Sequence, residues 1–171
     1  EIRTYRLGFP NAEVRRSFSQ WLAEAYTGLD AGKGMSSFLA RMAASLRAGD
    51  VAAMLDTLSL FFANVPNTIT IQQEKYYQTI FFTVFTLIGA RVSAEVSTNT
   101  GRIDAVVKTS GRVFIFEFKL NGTAAEAMAQ IRAKKYYEKY LGGKEKIILV
   151  AVAFDAEKRN LGERLIEEVQ A

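Results

Sequence analysis

Three charged residues stand in segments that otherwise read as buried β-strand: Asp104 in GRIDAVV, and Glu117 and Lys119 in FIFEFKL. Two carboxylates held together repel one another unless a proton or a cation intervenes, so such a pair suits a divalent metal ion. A lysine beside them offsets part of that charge. Near its ordinary pKa of about 10.4 it serves as an orienting cation, and only burial would make it a base. A carboxylate-held Mg²⁺ supplies an activated water and a Lewis acid, and a lysine relieves developing negative charge. Those are the needs of phosphodiester hydrolysis. The plainer alternative is a half-exposed strand with Glu117 and Lys119 solvated, and on EFK alone that alternative is the stronger.

Strand register decides between the two. If Ser110-Gly111 is a two-residue hairpin turn, Thr109 faces Arg112 and paired residue numbers sum to 221. Val107 then faces Phe114, Val106 faces Ile115, and Asp104 faces Glu117, with opposed Cβ atoms about 5 Å apart. Lys119 follows on the same side by the period of two. That side is otherwise Val106, Ile115 and Val113, and the other carries Val107, Phe114, Phe116 and Phe118. Both sides read as buried, so the charged residues lie where a packed sheet meets solvent. A one-residue shift in the turn would separate them.

Composition narrows the chemistry further. The chain of 171 residues has no His and no Cys. The commonest general base, thiolate nucleophiles, disulfides and cysteine-held zinc are thereby excluded, which leaves carboxylates, Lys, Tyr and hydroxyls, and a hard cation. The lack of Cys also suits a reducing cytoplasm. Twenty-two Lys and Arg against 18 Asp and Glu give a net charge of +4, which permits nucleic-acid binding without requiring it. The most apolar window, Ile80 to Ala90, is about half the ~20 residues a membrane span needs. No signal peptide is visible, and residue 1 is Glu, as in a piece of a longer protein.

The first part of the chain reads as helical. NAEVRRSFSQWLAEAYTG puts Val14, Phe18, Trp21, Leu22 and Ala25 on one face. LDAGKGMS reads as a Gly-rich linker; GKGMSS has a likeness to a phosphate loop but lacks the upstream Gly and the preceding strand. Nucleotide or phosphate binding through residues 28–34 is therefore the weakest functional reading. SSFLARMAASLRAG follows a Ser cap, and DVAAMLDTLSLFFANV follows an Asp cap and stops before Pro66. Residues 1–65 are expected to form a helical connector or subdomain.

Residues 66–171 are expected to form an α/β domain. TITIQQEKYYQTIFFTVFTLIG is a helix closed by Gly89, with Tyr76, Tyr77, Phe81 and Phe82 as core. ARVSAEVST, GRIDAVVKT and GRVFIFEFKL are strands. TAAEAMAQIRAKKYYEKYL is a crossover helix, which makes the third strand parallel to KIILVAVAF. The tail NLGERLIEEVQA leans to an edge strand over a helix. Gln130, Lys134 and Tyr137 share one helical stripe and are candidates to meet a phosphate backbone. For Lys134 and Tyr137 a solvated helix face is the plainer explanation.

Asp104 on one strand and Glu117-Phe118-Lys119 on the next, followed by a helix and a parallel strand, resemble the PD-(D/E)XK nuclease core. YRLGFPNAEVRRSF, QEKYYQTIFF, GRIDAVV, FIFEFKL and FDAEKRNLGE are similar, more narrowly, to the nuclease-like C-terminal domain of bacterial proteins with an N-terminal AAA-type ATPase-like domain. The resemblance implies a restriction-endonuclease-like fold, α-β-β-β-α-β with a mixed sheet flanked by helices. It implies Mg²⁺ or Mn²⁺ as cofactor and nucleic acid, DNA in preference to RNA, as partner. Glu74, Asp104, Glu117 and the Phe118 backbone carbonyl would be the metal ligands. Lys119 would orient or deprotonate the attacking water, and Gln130 would lie beside the site. Ile103 replaces the Pro of the family motif, and no base-reading insertion is evident, which leaves target specificity open. A catalytically silent interaction or regulatory module of an ATPase-like protein is the rival expectation.

Overall fold

The computed structural model describes residues 8–27, 33–66 and 73–169. Three helices come first, α1 (Ala12–Thr27), α2 (Lys33–Ala48) and α3 (Val51–Ala63). They are followed by α4 (Glu74–Leu87), β1 (Arg91–Ser97), β2 (Arg102–Thr109), β3 (Arg112–Leu120) and α5 (Ala124–Ala133). A 3₁₀ segment (Tyr136–Tyr140), β4 (Lys146–Asp155) and β5 (Asn160–Glu168) follow. The five strands form one mixed sheet in the order β1-β2-β3-β4-β5. Only β3 and β4 run parallel, joined across α5; the other neighbours are antiparallel. Among the described residues no helix is long and apolar enough to cross a membrane.

The hairpin between β2 and β3 has the expected register. Thr109 pairs with Arg112 and the ladder continues to Ala105↔Phe116. Gly111 supplies the left-handed backbone the turn needs, with φ of 85°. The alternation of β3 then sorts its side chains into two layers. Phe114, Phe116 and Phe118 enter a buried cluster with α2, α3 and α4, whereas Val113 and Ile115 enter a second one beneath α5. The first layer is dense in rings: Phe81 lies 4.7 Å from Phe116 and 5.0 Å from Phe118, and Tyr77 stacks on Phe154 at 4.3 Å. Each such buried ring contributes about 1.5–3 kcal/mol, with roughly 0.5–1.5 more per aromatic pair. This layer fixes α4 against the strand that carries Glu117. Helices α2 and α3 share that cluster, and Phe62 meets both Tyr77 and Phe154.

Three local expectations are corrected. The aromatic stripe of α1 faces outward: Val14 and Phe18 are exposed, Trp21 is 61% exposed, and Phe9, Phe18 and Trp21 cluster among themselves. The helix instead packs on α4, with Ala23 buried and Leu22 half-buried; the small Ala23 side chain permits close approach. Second, α2 begins at Lys33, not after a Ser cap, because Met35 is buried in the core and draws the preceding turn into the helix. Residues 28–32 of the expected linker lie outside the described residues, as do residues 67–72 before α4. Third, the crossover helix stops at Ala133. Lys135 takes the left-handed region with φ of 50°, and the chain continues as the 3₁₀ segment. The C-terminal segment is the edge strand β5, tied back to α3 where Asn160 donates to the Ser59 carbonyl and Arg164 pairs with Asp56.

Candidate active site

Between the inward rings of Phe116 and Phe118, the two-residue period turns Glu117 to the opposite layer, toward α5. The residue is only 1% exposed. Gln130 of α5 meets it there, held by a helix whose N-terminus is fixed by a capping box. Glu126 N donates to Thr123 Oγ1, and Thr123 N donates to Glu126 Oε2. The Gln130 Nε2 group donates to Glu117 Oε1, and Lys119 Nζ lies 3.3 Å from that same oxygen. Lys119 Nζ also donates to Gln130 Oε1 at 2.8 Å. One carboxylate oxygen, one carboxamide and one ammonium thus form a closed triangle.

Asp104 reaches this triangle by a different route from direct pairing. Among the paired residues the β2–β3 ladder stops at Ala105↔Phe116, and the Phe118 N–H donates to Asp104 Oδ2 at 2.9 Å instead of to the β2 backbone. The strand also twists about this residue. Ile103 faces the α5 layer while Ala105 faces the α4 layer, and on β1 the neighbouring Glu95 has φ of 50°. The expected face-to-face pair of Asp104 with Glu117 is therefore replaced by a splayed strand end. In a strand the N–H and C=O of one residue point to the same edge. The Phe118 carbonyl accordingly lies on the β2 edge of β3.

Glu74, the first residue of α4, closes the site from the other layer. Its Oε2 accepts from Leu120 N at 3.2 Å, and its Oε1 from Gln78 Nε2 at 3.2 Å. A carboxylate also suits the positive end of that helix. Burial is the main electrostatic fact here. It pushes the Glu117 carboxyl up to about 7, with Asp104 adding to the shift and Lys119 opposing it. Asp104 is likewise raised, chiefly by burial and secondarily by Glu74, against the pull of the Phe118 N–H. The remaining oxygen, Glu117 Oε2, is buried with no hydrogen-bond partner, an arrangement that costs about 1–3 kcal/mol.

The donor set of Asp104, Glu117, Glu74 and the Phe118 carbonyl is all oxygen, which suits Mg²⁺ or Mn²⁺. The orphaned Glu117 Oε2 and the mutual repulsion of the acids fit a cation. As they stand, however, no three carboxylates among the described residues converge closely enough to hold one. Glu117 Oε1 is engaged by Gln130 and Lys119, and Glu74 by Leu120 and Gln78.

The break at Lys135 separates the other candidates. Lys134 caps α5 at its exposed end, and its carbonyl accepts from Thr100 Oγ1 in the β1–β2 turn. Tyr137 is half-buried against the second core cluster. The residue that sequence periodicity misses is Tyr136, which is 2% exposed with its hydroxyl 3.5 Å from Gln130 Nε2. Nothing in KKYYEKY distinguishes it from Tyr137 without knowledge of the left-handed turn.

A family model described as the PD-(D/E)XK nuclease superfamily matches residues 72–164, which run from just before Glu74 into β5. A curated relative, "Uncharacterized protein in vnfD 5'region" of Azotobacter chroococcum mcd 1, is 31% identical over 172 residues, taking in 96% of this chain. The chain spans about a third of that relative's length, 33%. No solved structure matches.

Proposed function

The chain belongs to the PD-(D/E)XK nuclease superfamily, and on that footing we propose that it hydrolyses phosphodiester bonds of nucleic acid, DNA in preference to RNA, with a divalent cation. The observation that carries this is Glu117: a buried carboxylate with one unpartnered oxygen, beside Asp104 and Lys119. No structural need of the sheet accounts for it, since an apolar residue there would remove an uncompensated polar atom.

Asp104, Glu117, Glu74 and the Phe118 carbonyl would hold Mg²⁺ or Mn²⁺. When bound, the cation supplies Lewis acidity at the scissile phosphate and an activated water. Gln130 fixes Lys119 through its Oε1 and Glu117 through its Nε2, so the ammonium is aimed before substrate arrives. That preorganisation is what makes a cation effective against transition-state charge. Lys134 and Tyr137, after the last turn of α5, are proposed contacts for the substrate backbone. The absence of Cys suits a cytoplasmic location.

One observation favours a second reading. The carboxylates do not converge on a common point, and Gln130 already occupies Glu117 Oε1. A silent module would have this look, with residues 1–65 as a connector to an ATPase-like domain and the fold used for interaction. Calorimetric titration with Mn²⁺ at pH 8 separates the two. The nuclease reading expects carboxylate-dependent binding with Kd of about a millimolar or tighter, lost in Asp104→Ala. Equal or absent heats in the two proteins would favour the silent module.

A further inference from the structure

A cleft of about 440 Å³ opens between the β1–β2 turn and the 3₁₀ segment. Ser97, Thr98 and Asn99 form one wall; Lys135, Tyr136 and Lys139 form the other. We propose that this cleft, beside the carboxylate cluster, binds the sugar–phosphate backbone of the nucleic acid flanking the scissile bond. The inference rests on the nuclease reading and extends it to a second contact region.

Three features carry it. The first is charge on a polar, open groove. Lys135 and Lys139 present ammonium groups beside turn hydroxyls and amides, a lining that suits a hydrated anionic backbone more than a small apolar ligand. Glu138 also lines the cleft and pairs with Lys135 at 3.2 Å, but both side chains are about half exposed or more, 60% and 48%. Such pairs are weak and yield to a competing phosphate.

The second is the anchoring of both walls. Lys139 Nζ donates to the Ser97 carbonyl at 3.0 Å, and Thr100 Oγ1 donates to the Lys134 carbonyl. The turn and the 3₁₀ segment are thus held at a fixed separation, although they are more than thirty residues apart in sequence.

The third is continuity with the cluster. Tyr136 lines the cleft, and its hydroxyl lies 3.5 Å from Gln130 Nε2, which in turn holds Glu117. Gly101 leaves room for this ring, because a Cβ there would stand 3.1 Å from the hydroxyl. A backbone lying in the cleft is therefore one side chain away from the triangle of Glu117, Lys119 and Gln130.

Fluorescence anisotropy of a labelled short DNA duplex, and of its single strand, tests this with the full chain in chelator, so that binding is read without cleavage. The double variant Lys135→Ala with Lys139→Ala is expected to bind about tenfold more weakly. The slope of log K against log salt should fall by about 1.8 for the duplex and about 1.4 for the single strand between roughly 0.05 and 0.2 M. The charge-matched control is Lys144→Ala with Lys146→Ala. Lys146 pairs with Arg112 and so lies at the far end of β3 from Glu117, and this variant should lose little affinity and keep the slope. Lys139→Arg, which keeps the charge and a donor to Ser97, should retain binding. If the cleft variant binds as wild type does, or both double variants lose affinity alike, the cleft proposal is overturned while the nuclease reading stands. If wild type binds neither DNA, the cleft proposal is overturned, and cleavage with metal decides the nuclease reading separately.

Discussion

Glutamine at position 117 is expected to abolish cleavage and, at pH 8, to make the protein more stable. Burial raises the Glu117 carboxyl from its ordinary value of 4.5 to about 7. Because the folded state holds the proton more tightly than the unfolded chain, the ionised side chain opposes folding. The penalty is absent below about 4.5, grows as pH rises through that value, and is complete above about 7. Its full size is about 3 kcal/mol, at 1.36 kcal/mol per pH unit. Glu117→Gln removes the charge and keeps an oxygen for Lys119 and Gln130, so about 2–3 kcal/mol should be recovered at pH 8. For a chain of this size that raises Tm by roughly 4–12 °C. Thermal unfolding of the two proteins at pH 4 and pH 8 checks it: the curves should converge at pH 4 and separate at pH 8. A less stable Glu117→Gln protein at pH 8 would mean that the carboxylate is a structural ion-pair partner of Lys119. In wild type, a cation held as proposed would compete with the proton at this carboxyl, so Mg²⁺ is expected to stabilise the protein more at pH 8 than at pH 6.

Lys119→Met is expected to lower the rate of cleavage by about 10²–10³-fold, or roughly 2.7–4 kcal/mol of transition-state stabilisation. The side chain is 27% exposed and its ammonium is held on two sides, by Glu117 Oε1 and Gln130 Oε1. It is thus fixed in place with a face left to solvent. Methionine preserves the alkyl stem while removing the charge, so the loss should fall on kcat and leave KM for DNA nearly unchanged. Because Lys119 lowers the proton affinity of Glu117, the variant should also need a higher pH for metal binding. A fall confined to KM would assign Lys119 to substrate binding alone.

What could be read from the sequence was what depends on short-range geometry. The turn at Ser110-Gly111 fixes the register of its own hairpin, so the facing of Val107 with Phe114 and the layer to which Glu117 turns follow from counting. Its full burial there, in place of the expected position at the solvent edge, does not follow. The crossover from β3 to β4 follows from two apolar strands around a helical stretch. Longer-range features were hidden. The end of the β2–β3 ladder at Asp104 depends on a side chain taking a backbone N–H, which no alternation pattern records. The break of α5 places a non-glycine residue, Lys135, in the left-handed region, and with it Tyr136 replaces Tyr137 beside Gln130. In α1 the periodicity marks the aromatic side correctly as a stripe, but the helix docks through Leu22 and Ala23. Apolar periodicity identifies a helix more securely than the side by which it packs.

The same physics explains why the site is recognisable at all. A sheet whose two layers are otherwise apolar carries a stability cost at Glu117, the kind of cost expected of the proposed site. The rigid ring layer of Phe81, Phe116, Phe118 and Phe154 on the other side keeps β3 in place.

Cleavage of supercoiled plasmid DNA by wild type and by Asp104→Asn, with Mg²⁺, with Mn²⁺ and with chelator, bears most directly on a metal-dependent nuclease. Asparagine keeps an acceptor for the Phe118 N–H and removes the charge needed by the cation. Wild type should nick or linearise the plasmid only when metal is present, and Asp104→Asn should leave it supercoiled while melting as a folded protein. Intact plasmid under wild type with either metal, or equal cleavage by both proteins, would contradict a metal-dependent nuclease at Asp104 and Glu117.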